Sequence, residues 1–238
     1  SDFFYVWEKR TLGQLWPEVF ADELTNKVDE AVASPSRFAH AGRRTKELAT
    51  LDYERKMTAI VAEASRILTD AGVLTVMFTH KKAEAWDTLG QSLMETGFSI
   101  QASWPVATES ATSLHQAEKN AAASTMLLVC RKRPERTDTR RVFFETVEPE
   151  IRQAAQQAYQ RYTEAGFDGV DLLLATYGPA LAVLAGQWPV YSSEPGPDGQ
   201  SRLLRPGEAL QVAQEEVVRL HRLRLVARQV EFDPLTDF

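Results

Sequence analysis

One cysteine and four histidines among 238 residues are too few for a disulfide framework or a cysteine/histidine metal cluster. The cysteine, Cys130, sits inside the apolar run Met126-Leu127-Leu128-Val129-Cys130, so the expected setting is reduced and cytoplasmic. No apolar run approaches the ~20 residues that span a bilayer, and no leader pattern opens the chain, so no membrane partner is expected. No Gly-x-Gly-x-x-Gly follows an apolar run, which leaves no visible loop for cradling a cofactor phosphate or nucleoside. Asp168, Asp171 and Asp233 lack metal-loop spacing, and no serine, histidine and acid set has a nucleophile-elbow context. Basic excess is missing too. A net charge of −6 argues against a wholly basic nucleic-acid binder, while 44% hydrophobic residues support a real core.

What is present is organised around Val73 to Arg133, which reads strand (Val73–Thr79), helix (Lys82–Thr96), strand (Phe98–Val106), long loop and strand (Thr125–Arg131). The first and last strands are nearly continuous apolar runs, the pattern of strands covered on both faces. In the middle one, Phe98, Ile100, Ala102 and Trp104 alternate with Ser99, Gln101 and Ser103, so that strand is half wet. Pro105 cannot donate to a ladder, which suits a sheet edge. The economical arrangement inserts the last strand, antiparallel, between the other two.

Around this centre the chain reads mostly as helix. Four of the first seven residues, Phe3, Phe4, Tyr5 and Trp7, are aromatic. Free termini are seldom so apolar, and the expectation is a chain cut from a longer protein, its rings packed beside something absent. Leu12, Leu15, Trp16, Val19 and Phe20 continue at helical spacing, with a break at Pro17. Ala31–Arg44 reads as a loop. Tyr53, Met57, Ile60, Val61, Ala64, Ile67 and Leu68 then form one stripe of a crossover helix, closed by a left-handed Gly72. The composition changes at Pro134. Ile151, Ala154, Ala155, Ala158, Tyr159 and Tyr162 mark an amphipathic helix, and Val170–Leu184 is an apolar stretch interrupted at Gly178-Pro179. Ser192–Gln200 reads as a turn-rich loop, and Pro206 as the first turn of a helix burying Leu210, Ala213, Val217 and Leu220. The expected division is 1–133 for the sheet-bearing domain and 134–238 for a linker and helical extension.

In an open α/β sheet, ligands bind beyond the carboxyl ends of the strands. Thr79-His80-Lys81 leaves the first strand there, and the loop Ala107–Ala123 emerges at the same end carrying Thr108, Glu109, Ser110, Thr112, Ser113, His115, Gln116, Lys119 and Asn120. A loop that long is more often functional than a simple turn. His80 reads equally as a satisfied strand-end histidine, and His115 as a surface residue or a base. Glu145, Glu148 and Glu150 read as an acidic helix start. Between Arg131 and Arg141, six cations (Arg131, Lys132, Arg133, Arg136, Arg140, Arg141) stand against Glu135 and Asp138, either a solvated linker or a phosphate-contacting patch. The aromatic opening reads as core, or as a platform for stacking a nucleobase.

Several of these stretches resemble one family. Ser1-Asp2-Phe3-Phe4-Tyr5-Val6-Trp7, Leu74-Thr75-Val76-Met77-Phe78-Thr79-His80-Lys81, Trp104-Pro105-Val106, Thr112-Ser113-Leu114-His115-Gln116, Lys119-Asn120-Ala121-Ala122, Ser124-Thr125, Val129-Cys130-Arg131-Lys132-Arg133 and Phe232-Asp233-Pro234-Leu235-Thr236 look like large adenine-specific DNA methylases of bacteria and archaea. The resemblance implies an α/β fold, the C-terminal half of a Rossmann-like S-adenosylmethionine methyltransferase sheet. The three strands would be its fifth, sixth and antiparallel seventh, followed by the helical extension. It also implies transfer of methyl from S-adenosylmethionine to N6 of a flipped adenine in DNA, within a restriction-modification setting.

The donor-binding segment and the Asp-Pro-Pro-Tyr motif of such enzymes are missing here and are expected upstream of Ser1. The isolated chain is therefore expected to be inactive, its catalytic and cofactor residues lying elsewhere. Its implied partners are DNA and the remainder of the methyltransferase domain. Thr79, His80, Lys81, Glu109, Ser113, His115, Gln116, Lys119 and Asn120 would face substrate or DNA. A competing reading is a non-catalytic DNA- or partner-binding module of a DNA-modification or phage-defence system. A third is a small-molecule or RNA methyltransferase related only by fold.

Overall fold

The computed structural model describes residues 2–107, 124–134, 140–195 and 201–227. The chain packs as two compact units, Ser1–Ala59 and Ile60–Phe238, and the composition change at 134 falls inside the second.

The first unit holds helix α1 (Asp2–Leu12), a 3₁₀ stretch (Pro35–Arg44) and the start of α2 (Thr45–Ile67). Polar links hold it together. Lys27 pairs with Asp2 at 2.8 Å, the Tyr5 hydroxyl donates to the Asp22 carbonyl at 2.9 Å, and Lys56 pairs with Asp52 at 2.9 Å. The helical spacing read through Phe20 stops at Leu12, after which the chain turns and sets Phe20 against the Tyr5 ring at 5.5 Å. The expected loop at 31–44 is ordered into 3₁₀ turns from Pro35, broken where Phe38 and Gly42 leave helical geometry. Phe3, Phe4, Trp7, Leu15, Trp16 and Val28 are all exposed.

In the second unit, α2 ends at Ile67 with Ile60 and Ile67 exposed, so only part of its apolar stripe is buried. Gly72 does not take the expected left-handed conformation. Glycine is required by crowding instead, since a Cβ there would stand 2.5 Å from Leu68 Cγ and 2.9 Å from the Thr69 carbonyl oxygen. Strand β1 (Leu74–Phe78), helix α3 (Ala83–Glu95), β2 (Phe98–Ala107) and β3 (Ser124–Lys132) follow. Helix α3 buries Trp86, Leu89 and Leu93 and closes at Gly97, whose φ of +85° suits the left-handed position after a helix. The sheet order is β1-β3-β2, with β3 antiparallel to both neighbours. The inserted strand stands where the alternation and Pro105 required it.

The faces differ from expectation in two places. First, β1 is covered on one side only. Leu74, Val76 and Phe78 pair with Cys130, Leu128 and Met126 on the helix-covered face, while Met77, opposite Leu127, is 68% exposed. Second, a β-bulge between Ile100 and Ala102 inverts the rest of β2. One extra residue in a period-two strand moves every later side chain to the other face. Ser103 therefore turns inward and Trp104 outward, where it is 49% exposed.

Helices α4 (Phe144–Glu164), α5 (Gly169–Gln187) and α6 (Pro206–Ala227) complete the unit, with α5 lying directly on β2 and β3. The expected interruption at Gly178-Pro179 is absent, and Pro179 sits inside a continuous helix. It forfeits one bond to the Ala175 carbonyl, offset by burial of Leu174, Leu181 and Leu184. By length and composition α5 is apolar enough to cross a membrane, at a mean hydropathy of 1.5, contrary to the reading of the sequence; most of it is packed inside this unit. Of the expected loop, Ser192–Pro195 is strand, and 196–200 lie outside the described residues. Strand β5 (Val190–Pro195) pairs in parallel with β4 (Val142–Phe143) and antiparallel with β6 (Ser201–Leu203). In α6, Leu210 and Ala213 are buried as expected, whereas Val217 and Leu220 are half-buried. The architecture is mixed α/β, helix-rich, with two small sheets.

Candidate functional site

The carboxyl end of β1 and the two ends of the β2–β3 connection meet at one side of the sheet. Phe78 pairs with Met126, and Ala107 pairs with Ser124, two residues earlier in β3. Thr79 donates its hydroxyl to Thr125 Oγ1 at 2.8 Å, fastening the end of β1 to the start of β3. The Ser124 N–H donates to Asp171 Oδ1 at 2.9 Å, which ties the same point to the first turn of α5. The exit of the long connection is therefore held from two sides.

Thr79, His80 and Lys81 are all exposed at this end. His80 is bound locally: Nδ1 accepts the Lys82 N–H at 3.1 Å, and its carbonyl accepts the Trp86 indole N–H at 2.7 Å. These bonds begin α3 and fix the ring near that of Phe78, with centroids 6.5 Å apart. Glu109, Ser113, His115, Gln116, Lys119 and Asn120, together with Thr108, Ser110 and Thr112, lie outside the described residues.

Over its described part the basic run is tied to the fold by side-chain contacts, with Arg131, Arg140 and Arg141 still exposed. Arg133 is absorbed by the fold, its guanidinium donating to the carbonyls of Met94 (3.0 Å), Ala185 (3.2 Å) and Phe98 (3.4 Å). Arg131 donates to the Ala71 carbonyl at 2.7 Å, Lys132 pairs with Asp70 at 3.4 Å, and Arg141 lies over the Tyr191 ring at 5.4 Å. Arg136 lies outside the described residues.

The open edge of β2 forms a second feature, a groove of about 660 Å³ between that strand and helices α4 and α5. Gln101, Trp104, Gln157 and Arg161 line it, with the Tyr162 hydroxyl donating to the Ser103 carbonyl at 3.2 Å. Burial pushes the Tyr162 phenol above its ordinary range, only partly offset by Arg161 beside it. The sequence pattern assigns Trp104 and Tyr162 to core faces and passes over Gln101, Gln157 and Arg161. The signal for this site is the bulge, which alternation alone does not reveal.

Other chemistry is sparse. Burial raises the Cys130 thiol to about 12, leaving it protonated and inert. Among the described residues no three histidine, cysteine, aspartate or glutamate side chains gather as a metal site. The turn from β1 into α3 contains no glycine, and the glycines with positive φ (Gly42, Gly97, Gly166, Gly169) lie elsewhere. Comparison of the chain with protein-family models, with curated proteins and with solved structures found no match.

Proposed function

We propose that this chain supplies the C-terminal part of a DNA adenine-N6 methyltransferase domain together with its helical extension. The observation that carries the reading is the placement of antiparallel β3 between β1 and β2. That order matches strands five, seven and six of the S-adenosylmethionine-dependent sheet implied by the resemblance. In such an enzyme the adenine leaves the stack before its amino group meets the donor methyl. Rigid positioning then lowers most of the barrier. The part assigned to this chain is to border that reaction. Thr79–Lys81 and the loop carrying Glu109, Ser113, His115, Gln116, Lys119 and Asn120 line the base pocket or the adjoining DNA. The remainder of the domain binds the donor and holds the adenine.

Two measurements test this. Calorimetry of the 238-residue chain with S-adenosylmethionine is expected to show no binding, and micromolar affinity would contradict the division of labour. Expression of the whole reading frame in a host without adenine methylation is expected to produce N6-methyladenine in its DNA. Unmethylated DNA beside soluble, folded protein would remove the assignment.

The exposed apolar face of α6, with Val218, Leu223 and Val226 open to solvent, favours one second reading, a non-catalytic DNA- or partner-binding module working through its C-terminal helices. Salt-dependent DNA binding that survives loss of Lys119 and the Ser113–Gln116 loop, but not of α6, would select it.

A further inference from the structure

The construction of the groove along β2 narrows the chemistry it can accommodate. At about 660 Å³ it falls within the ~300–1,000 Å³ of ordinary ligand clefts. Small side chains keep it open: Ala102 on the strand, Ala154 and Ala158 on α4, Ala182 on α5. A larger residue at any of these positions would fill the floor.

An added peptide strand is disfavoured as occupant. Strand addition needs a free ladder of N–H and C=O groups, and this edge is blunted three times. Pro105 has no N–H, the bulge after Ile100 breaks the register, and the Ser103 carbonyl already accepts the Tyr162 hydroxyl. Recognition must therefore come from side chains. Those present are an indole plane half open to solvent (Trp104), one guanidinium (Arg161) and two primary amides that both donate and accept (Gln101, Gln157). One donor of Gln101 is held by Ser99 Oγ at 2.8 Å, which fixes the orientation of its amide. Among the described residues no carboxylate lines the groove and no ion pair to Arg161 is seen; its guanidinium stands beside the Tyr162 phenol.

We propose that this groove binds one nucleotide of a single-stranded DNA segment. The base stacks on Trp104, its edge is read by the Gln101 and Gln157 amides, and its phosphate is held by Arg161. A plane, two amides and one cation match the three parts of a nucleotide, and stacking on an exposed aromatic tolerates any base. This inference does not depend on methyl transfer and concerns a face of the sheet separate from Thr79–Lys81.

The test is fluorescence anisotropy of a short labelled oligothymidylate with the complete chain. Trp104→Ala is expected to weaken binding about tenfold, with Trp104→Phe recovering most of it. Arg161→Gln is expected to lower the slope of log affinity against log salt by ~0.7, one phosphate contact on a single strand. Both side chains are exposed enough that circular dichroism and melting of the variants should match the parent. Binding within about twofold of the parent for both Trp104→Ala and Arg161→Gln would overturn the site. Tighter, Trp104-dependent binding of oligouridylate would replace DNA by RNA and overturn the assignment to DNA. Failure of the methylation assay leaves these readouts unchanged, so the two readings fail separately.

Discussion

Gly178 of α5 lies so close to Ser103 of β2 that a Cβ at Gly178 would stand 2.3 Å from Ser103 Oγ and 2.4 Å from Ser103 Cβ. The hydroxyl could rotate away but Ser103 Cβ is fixed to the strand backbone, so helix and strand would have to separate. Alanine gains about 1 kcal/mol of helix propensity over glycine, but overpacking a formed interface costs about 1–3 kcal/mol. Gly178→Ala is expected to destabilise by about 1–2 kcal/mol in urea unfolding. Combined with Ser103→Gly, the pair should cost less than the sum of the single changes. A stabilised single variant would mean that α5 does not approach the sheet this closely.

Arg133 is the other fastening of sheet to helices. Its side chain reaches the C-terminal carbonyls of α3 (Met94) and α5 (Ala185), where the helix dipoles favour a cation, and its N–H donates to the Gly97 carbonyl at 2.7 Å. Replacement leaves half-buried carbonyls without a charged donor, so Arg133→Ala should cost about 2 kcal/mol. Lysine brings the charge but not the planar fork. Arg133→Lys is therefore expected to recover less than half of the loss in the same unfolding experiment. Full recovery would show that charge alone matters there.

How far the sequence reaches is visible at β2. Element type was legible wherever periodicity is strong, and α3, β2 and β3 start and end within two residues of the pattern. The sheet order followed from one proline and one alternating strand. The inward and outward sides of β2 did not, because a single bulged residue is invisible to a period-two count, and the groove inherits that error. Likewise, Gly178-Pro179 reads locally as a break, yet packing on both sides of α5 overrides the propensity. The short ladder of β4, β5 and β6 was hidden for a similar reason. Its strands are brief, and Pro195 and the residues after it carry turn chemistry.

Cys130 is fully buried in the central strand, opposite Leu74 on one side and Ile100 on the other, and burial lifts its thiol to about 12. A thiol must reach solvent and ionise before it attacks a disulfide reagent. The native chain is expected to be silent to an aromatic disulfide reagent at mildly alkaline pH and to release one equivalent once denaturant is added. Rapid labelling of the native protein would mean that β3 opens locally or that the sheet is not closed around it.

Glu208 supplies the clearest dependence on acid. Burial pushes its carboxyl up, but the Arg202 guanidinium, with bonds of 2.6 and 2.9 Å, and the Arg205 N–H pull it below its ordinary 4.5. Since the folded group binds a proton less readily than the unfolded one, its contribution is fully present above about pH 4.5 and declines as pH falls through the lowered value. Solvent screening keeps the effect to about 0.5–1 kcal/mol. Glu208→Gln preserves the shape and removes the charge. The stability gap between parent and variant should be widest near neutral pH and close progressively in acid, read from urea midpoints at each pH. A gap that stays constant with pH would show that the difference does not come from the charge of Glu208, and no gap at all would show that the Arg202 and Arg205 donors hold a neutral amide as well as a carboxylate.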